Sequence, residues 1–181
     1  MAVERVERLL RSTCQALDDA GVLYAVVDGN AVAAWVGSVD EDAVRFTKDV
    51  DILLRRDDLP QAALALDVIG LDQEEVLGVT VFVDRHDPSP KRGVHVVFTN
   101  ERVRAHYAHA SPDISDSSRA AAGHRVVKLA ALVRMKLQSF RLVDQVHIRD
   151  MMSVGLITDD LAAGLPADLR ERLDQIRATP E

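Results

Sequence analysis

The sequence predicts an α/β fold of the α+β type, in which helices flank a mixed β-sheet and a helical part follows. Short valine-rich runs typical of buried strands alternate with segments whose apolar residues recur at helical spacing. In the last third of the chain, the apolar residues recur at helical spacing only. We expect a single domain over residues 1–181, with a core at about 1–128 and a helical C-terminal part at about 129–181.

The composition excludes several classes of protein. With 48% hydrophobic and 28% charged residues and no long apolar run, the chain is typical of soluble globular proteins and predicts no membrane partner. A net charge of −7 argues against a broad nucleic-acid interface and leaves a local basic groove as the alternative. The single cysteine, Cys14, cannot form an internal disulfide, and the first residues do not have the pattern of a signal peptide. We therefore expect a cytoplasmic protein.

Apolar periodicity divides the first hundred residues into helices and strands. Helical spacing predicts helices at residues 3–20, 30–35 and 57–69. Compact apolar runs predict strands at residues 22–27, 50–54, 79–83 and 94–98. A polar, turn-rich loop separates the last two runs, which we expect to pair as a hairpin.

The pattern changes beyond residue 100. Residues 100–123 are irregular and polar, and residues 125–129 predict either a short strand or the approach to a helix. Apolar spacing then predicts helices at residues 129–140 and 144–154. Capping residues at Thr158 and Pro166 predict short helices near the end of the chain.

Residues 45–54 contain the pattern around which the chain is organised. Asp49 and Asp51 alternate with Val50 and lead into an apolar strand. In a strand, residues i and i+2 point to the same face, so both carboxylates should project from one side near the strand's beginning. Like charges held this close repel, and a divalent cation such as Mg²⁺ would offset the repulsion. The alternative is a strand that begins in solvent with two hydrated acids.

Three features in chain order resemble the nucleotidyltransferase superfamily, which has the fold of DNA polymerase β. They are the Asp28-Gly29-Asn30 turn with its small-residue helix, the R-x-T-x-D-V-D segment at residues 45–51, and a later helix with Lys136. Within the superfamily, the chain is most similar to small bacterial nucleotidyltransferases related to abortive-infection toxins. The resemblance covers most of residues 20–155.

The resemblance implies transfer of a nucleoside monophosphate from a nucleoside triphosphate (NTP) to a hydroxyl group. Asp49 and Asp51 would be catalytic and would hold Mg²⁺, with Mn²⁺ as the alternative ion. The nucleotide-binding residues implied by similarity are Gly29, Asn30, Arg45, Thr47 and Lys136. The acceptor stays open among RNA, protein and small molecules, and an antitoxin-like protein is a further partner that the resemblance suggests.

The chain also departs from the family pattern. The first small residue of the family's turn is replaced by Asp28, which we interpret as a helix N-cap. His95 occupies the position of a third carboxylate and is the third catalytic residue that we predict, with Asp84 as a weaker substitute. Histidine is a poor Mg²⁺ ligand, so the alternative function is a catalytically degenerate module that binds nucleotide or protein. For Lys136, the alternative is a solvated helix residue.

Overall fold

The computed structural model describes residues 2–120 and 123–179. Within those residues, seven strands form one mixed sheet: β1 (Tyr24–Val27), β2 (Val50–Leu54), β3 (Leu71–Val76), β4 (Val79–Asp84), β5 (Val94–Phe98), β6 (Ser117–Arg119) and β7 (Arg125–Val127). Their order across the sheet is β3-β4-β5-β2-β1-β7-β6. The predicted α/β fold of the α+β type, with a mixed sheet and flanking helices, is therefore confirmed.

Helices cover this sheet and form the C-terminal end of the described chain. They are α1 (Ala2–Asp19), α2 (Asp28–Gly37), α3 (Leu59–Val68), α4 (Leu129–Ser139), α5 (Leu142–Ser153), α6 (Asp159–Ala163) and α7 (Ala167–Ala178). The last helix, α7, packs against α4 and α5 through its buried residues Leu169, Leu173 and Ile176. No helix of the described chain is long and apolar enough to cross a membrane.

Strand β2 lies at the centre of the sheet. It runs antiparallel to β1, with Val27 opposite Asp51, and parallel to β5, with Asp51 opposite His95. Consequently the end of β1 and the beginnings of β2 and β5 meet at one edge of the sheet, the edge formed by strand ends and not by an outer strand. The acid-bearing strand is thus fixed by hydrogen bonds on both sides, in a core where β1 is buried throughout.

The positions of most elements agree with the sequence prediction, including the pairing of β4 with β5. Strand β3 was not predicted, because its sequence is largely polar. It pairs on one side only, with β4, and half of its residues are exposed, so the apolar run that marks a buried strand is missing.

Candidate active site

Asp49, Asp51 and His95 converge at the sheet edge where β1 ends and where β2 and β5 begin. Asp49 directly precedes β2, and Asp51 and His95 are the second residues of their strands. Nδ1 of His95 lies 3.7 Å from Oδ2 of Asp49 and 3.6 Å from Oδ1 of Asp51. One ligand atom from each half-buried residue lies within 4.8 Å of the other two. The structure therefore brings the two predicted acids together on one face.

The ring of His95 is oriented by a backbone carbonyl. Its Nε2 lies 2.8 Å from the carbonyl oxygen of Pro90, which can only accept a hydrogen bond. Nε2 therefore carries the hydrogen, and in the neutral ring the lone pair on Nδ1 faces the two acids. The contact with Asp51, with smaller contributions from the Pro90 carbonyl and Asp49, raises the pKa of His95.

Negative charge is crowded at this edge. Burial raises the pKa of Asp51 to about 6; the charges of Asp28 and Asp49 reinforce the rise, while His95 opposes it. Each additional proton or cation that enters the cluster relieves this repulsion.

The donor set fits a divalent cation. Two carboxylates supply the oxygen ligands that Mg²⁺ and Mn²⁺ accept, and an imidazole nitrogen is accepted by transition-metal ions such as Mn²⁺. Asp84, the substitute acid, lies elsewhere: the register pairs Val81 with His95, and the Asp84 carboxylate accepts a hydrogen bond from the backbone of His86.

Three of the predicted nucleotide-binding residues support Asp49. The Thr47 hydroxyl donates a hydrogen bond to Oδ1 of Asp49 at 2.8 Å, and the Asn30 amide donates to its backbone carbonyl at 2.8 Å. Gly29 allows the close approach of Thr47, because a Cβ at Gly29 would lie 2.9 Å from Cβ of Thr47. These residues therefore set the position of one acid at the start of α2.

The turn before α2 differs from the expected one. The residue with a positive φ, 51°, is Asp28, so an aspartate adopts the left-handed conformation that favours glycine. The interpretation of Asp28 as an N-cap is wrong, because the N-cap position is Val27 and no side chain caps the helix. The Asp28 carboxylate instead contacts Nζ of Lys136 and, at 3.1 Å, Nη2 of Arg141.

Lys136 is buried, with 3% of its side chain exposed, so the alternative of a solvated lysine is wrong. Its ammonium lies between Asp28 and Asp144, whose Oδ1 is 2.9 Å away. Asp144 is fully buried and also accepts hydrogen bonds from Ser139 and, at 2.7 Å, from Nε of Arg141. Burial alone would raise the pKa of Asp144, but Arg141, Lys136 and Ser139 together lower it to about 2.

The last predicted nucleotide-binding residue, Arg45, lies outside the acid cluster. Its side chain is 64% exposed, and Nε lies 2.8 Å from Oδ2 of Asp150 on α5. The ion pair joins the loop before β2 to the helical part of the chain. Arg141 and Asp144 were not among the predicted site residues, although their spacing predicts an ion pair. They stand at the beginning of α5, where Asp144 accepts the Arg141 backbone N–H in a capping box.

No family model matches this chain, and no curated protein does either. Among solved structures, the chain is similar to an antigenic nucleotidyltransferase-like protein from Paracoccidioides brasiliensis, with a TM-score of 0.59 and 14% identity over 97% of this chain and 88% of that one. It is also similar to the crystal structure of ANT(2'')-Ia in complex with adenylyl-2''-tobramycin, with a TM-score of 0.57 and 16% identity over 94% and 98% of the two chains.

A solution structure of ANT(2'')-Ia, described as an antibiotic-resistance factor, is similar at a TM-score of 0.52 and 14% identity, over 97% of this chain and 84% of that one. These likenesses show that the chain has the nucleotidyltransferase fold, as the sequence resemblance implied. The likeness to toxin-type members remains a prediction.

Proposed function

We propose that this protein transfers a nucleoside monophosphate from an NTP to a hydroxyl group, with Mg²⁺ or Mn²⁺ as the metal ion. The observation that carries the proposal is the convergence of Asp49, Asp51 and His95 beside the first turn of α2. The nucleotidyltransferase fold supports it. We do not favour the degenerate module, because both acids and a third metal-binding group are retained at one edge of the sheet.

Each residue of the cluster has a role in this proposal. Asp49 and Asp51 hold the cation, while Thr47 and Asn30 fix the position of Asp49. A bound divalent cation would neutralise charge on the triphosphate and lower the pKa of the attacking hydroxyl. The triphosphate contacts the beginning of α2, whose first N–H groups have no side-chain cap and lie at the positive end of the helix dipole.

Lys136 and Arg141 supply positive charge beside the same helix terminus. We propose that both bind phosphate oxygens of the NTP in exchange for the carboxylate of Asp28. Asp144 then keeps Lys136 in place from the buried side. Arg45, which is exposed on the loop before β2, is free to flank the nucleotide only if it leaves Asp150.

For the acceptor, we propose a small hydroxyl-bearing molecule as the first class to test. The support is the similarity to ANT(2'')-Ia, whose crystal structure holds adenylyl-2''-tobramycin. RNA or protein acceptors, a toxin-like role and an antitoxin-like partner rest on the sequence resemblance alone. A cytoplasmic location, where NTPs are abundant, is consistent with the single buried Cys14.

The test is incubation of the purified protein with each of the four radiolabelled NTPs and panels of small hydroxyl compounds, RNA and proteins. Asp49→Asn and Asp51→Asn should abolish label transfer, whereas the matched change Asp84→Asn, at the end of β4, should not. Equal labelling by wild type and the cluster variants would refute the proposal. Calorimetry that detects metal-dependent NTP binding without any transfer would instead identify a binding module.

A further inference from the structure

We propose that Nδ1 of His95 is a ligand of the bound cation and that this site therefore selects Mn²⁺ over Mg²⁺. The inference rests on the proposed function, because it concerns the cation that Asp49 and Asp51 would share. It assigns His95 to metal binding and not to deprotonation of the acceptor.

The separations between the groups fit a shared ion. Ligand atoms about 2.1–2.2 Å from one ion, at angles of about 90–120°, lie roughly 3.0–3.8 Å apart. Nδ1 of His95 lies 3.7 Å from Asp49 and 3.6 Å from Asp51, within that interval. Both distances exceed those of a direct hydrogen bond, and one ligand atom of each of the three residues lies within 4.8 Å of the other two, a spacing that leaves room for an ion among them.

The orientation of the ring is that of a metal-binding histidine. Such residues usually donate their second ring N–H to a carbonyl or carboxylate, which fixes the tautomer and points the other nitrogen at the ion. In this protein the acceptor is the Pro90 carbonyl, which also receives the Gly93 N–H of the same turn at 3.3 Å. Gly93 is in turn held against β4, since a Cβ there would lie 2.5 Å from the Phe82 carbonyl oxygen.

Replacing a carboxylate by an imidazole changes which ion the site prefers. Mg²⁺ takes oxygen ligands almost exclusively and loses its water reluctantly, whereas Mn²⁺ accepts nitrogen together with carboxylate and phosphate oxygens. With two carboxylates and one neutral imidazole, the cluster carries two negative charges, which a divalent cation balances.

A second group of potential ligands, Asp28, Asp144 and His147, lies close by. In the structure the ammonium of Lys136 contacts both of its carboxylates, and Asp144 keeps that contact in the proposed nucleotide complex. We therefore place the cation at the edge formed by β2 and β5.

The experiment measures metal binding directly, with and without a non-hydrolysable ATP analogue. Electron paramagnetic resonance counts bound Mn²⁺, competition with Mg²⁺ gives the ratio of affinities, and pulsed methods detect magnetic coupling between Mn²⁺ and a ligand nitrogen. Wild type is compared with His95→Asp and with the control His86→Asp, which changes an exposed histidine after β4. Wild type and the control should show nitrogen coupling, and His95→Asp should lose it and shift the affinity ratio towards Mg²⁺ by about tenfold or more.

The outcomes separate this inference from the proposed function. Mn²⁺ that binds wild type without nitrogen coupling, or an affinity ratio that His95→Asp leaves unchanged, would overturn the role of His95 and leave nucleotide transfer standing. Because the coupling is measured on wild type, the result does not depend on whether the variant folds. Failure of wild type to bind either ion in both conditions would overturn the cation site and, with it, the proposed mechanism.

Discussion

The buried ammonium of Lys136 and the carboxylate of Asp28 form an ion pair between residues 108 positions apart in the chain. Asp28 stands at the first turn of α2, where the triphosphate is proposed to bind, and Lys136 lies on α4. The pair therefore places an acid among the cations that a phosphate group would contact.

Asp28→Asn is expected to tighten NTP binding by about tenfold, because it removes a negative charge near the phosphates and releases Lys136. Asparagine tolerates the left-handed backbone at this position, so the turn should persist. Calorimetry with a non-hydrolysable NTP measures the effect, with Asp57→Asn, an exposed acid before α3, as the control. Weaker binding by Asp28→Asn would mean that Asp28 assists the nucleotide.

Asp144→Asn is expected to lower the free energy of unfolding by about 3–5 kcal/mol near pH 7, since it removes the charge that faces buried Lys136. The exposed control Asp174→Asn on α7 should cost less than about 1 kcal/mol. Urea unfolding followed by circular dichroism gives both values.

The carboxylate of Asp144 should also make the free energy of unfolding depend on pH. The pKa of Asp144 in the folded protein is about 2, below its value of about 3.9 in the unfolded chain. Its stabilising contribution is therefore complete above about pH 4 and is lost as the pH falls to about 2. The difference in stability between wild type and Asp144→Asn should shrink across that interval; a difference that stays constant would contradict the ion-pair account.

Gly29→Ala is expected to reduce nucleotide transfer by about tenfold to a hundredfold. The added methyl group would push Thr47, which holds Asp49, while the helix itself would tolerate alanine. Gly164→Ala is the matched control, because a Cβ there meets its nearest atoms at 3.6 Å, an ordinary contact. Transfer rates of both variants beside wild type provide the measurement, and full activity of Gly29→Ala would show that the close approach is unimportant.

Asp51→Asn is expected to stabilise the metal-free protein by roughly 1–3 kcal/mol at about pH 8, although it abolishes transfer. The pKa of Asp51 is raised to about 6 in the folded protein, so wild type loses stability as the pH rises from about 4 to about 6. The gain should therefore vanish below about pH 4. Urea unfolding in the presence of a chelator checks this, with the exposed control Asp57→Asn expected to give no gain.

The pairing of the two acids could be predicted from sequence, because alternation along a strand is a local property. The neighbourhood of Lys136 could not, since its partners Asp28 and Asp144 come from other segments and meet it only in the folded chain. The left-handed conformation of Asp28 could not be predicted either, because an aspartate beside a glycine at a helix start is typical of an N-cap. Strand β3 was not predicted for a different reason: its polar, exposed face carries no hydrophobic pattern.

The chain contains one tryptophan, Trp35, which is half-buried on α2 and donates its indole N–H to the Val127 carbonyl at 3.0 Å. Its fluorescence thus originates from the very helix whose first turn is proposed to receive the phosphates. Emission intensity and wavelength can follow ligand titrations and stopped-flow kinetics at this helix without an attached dye. Trp35, at the contact between α2 and β7, can therefore serve as an intrinsic fluorescent probe of this helix.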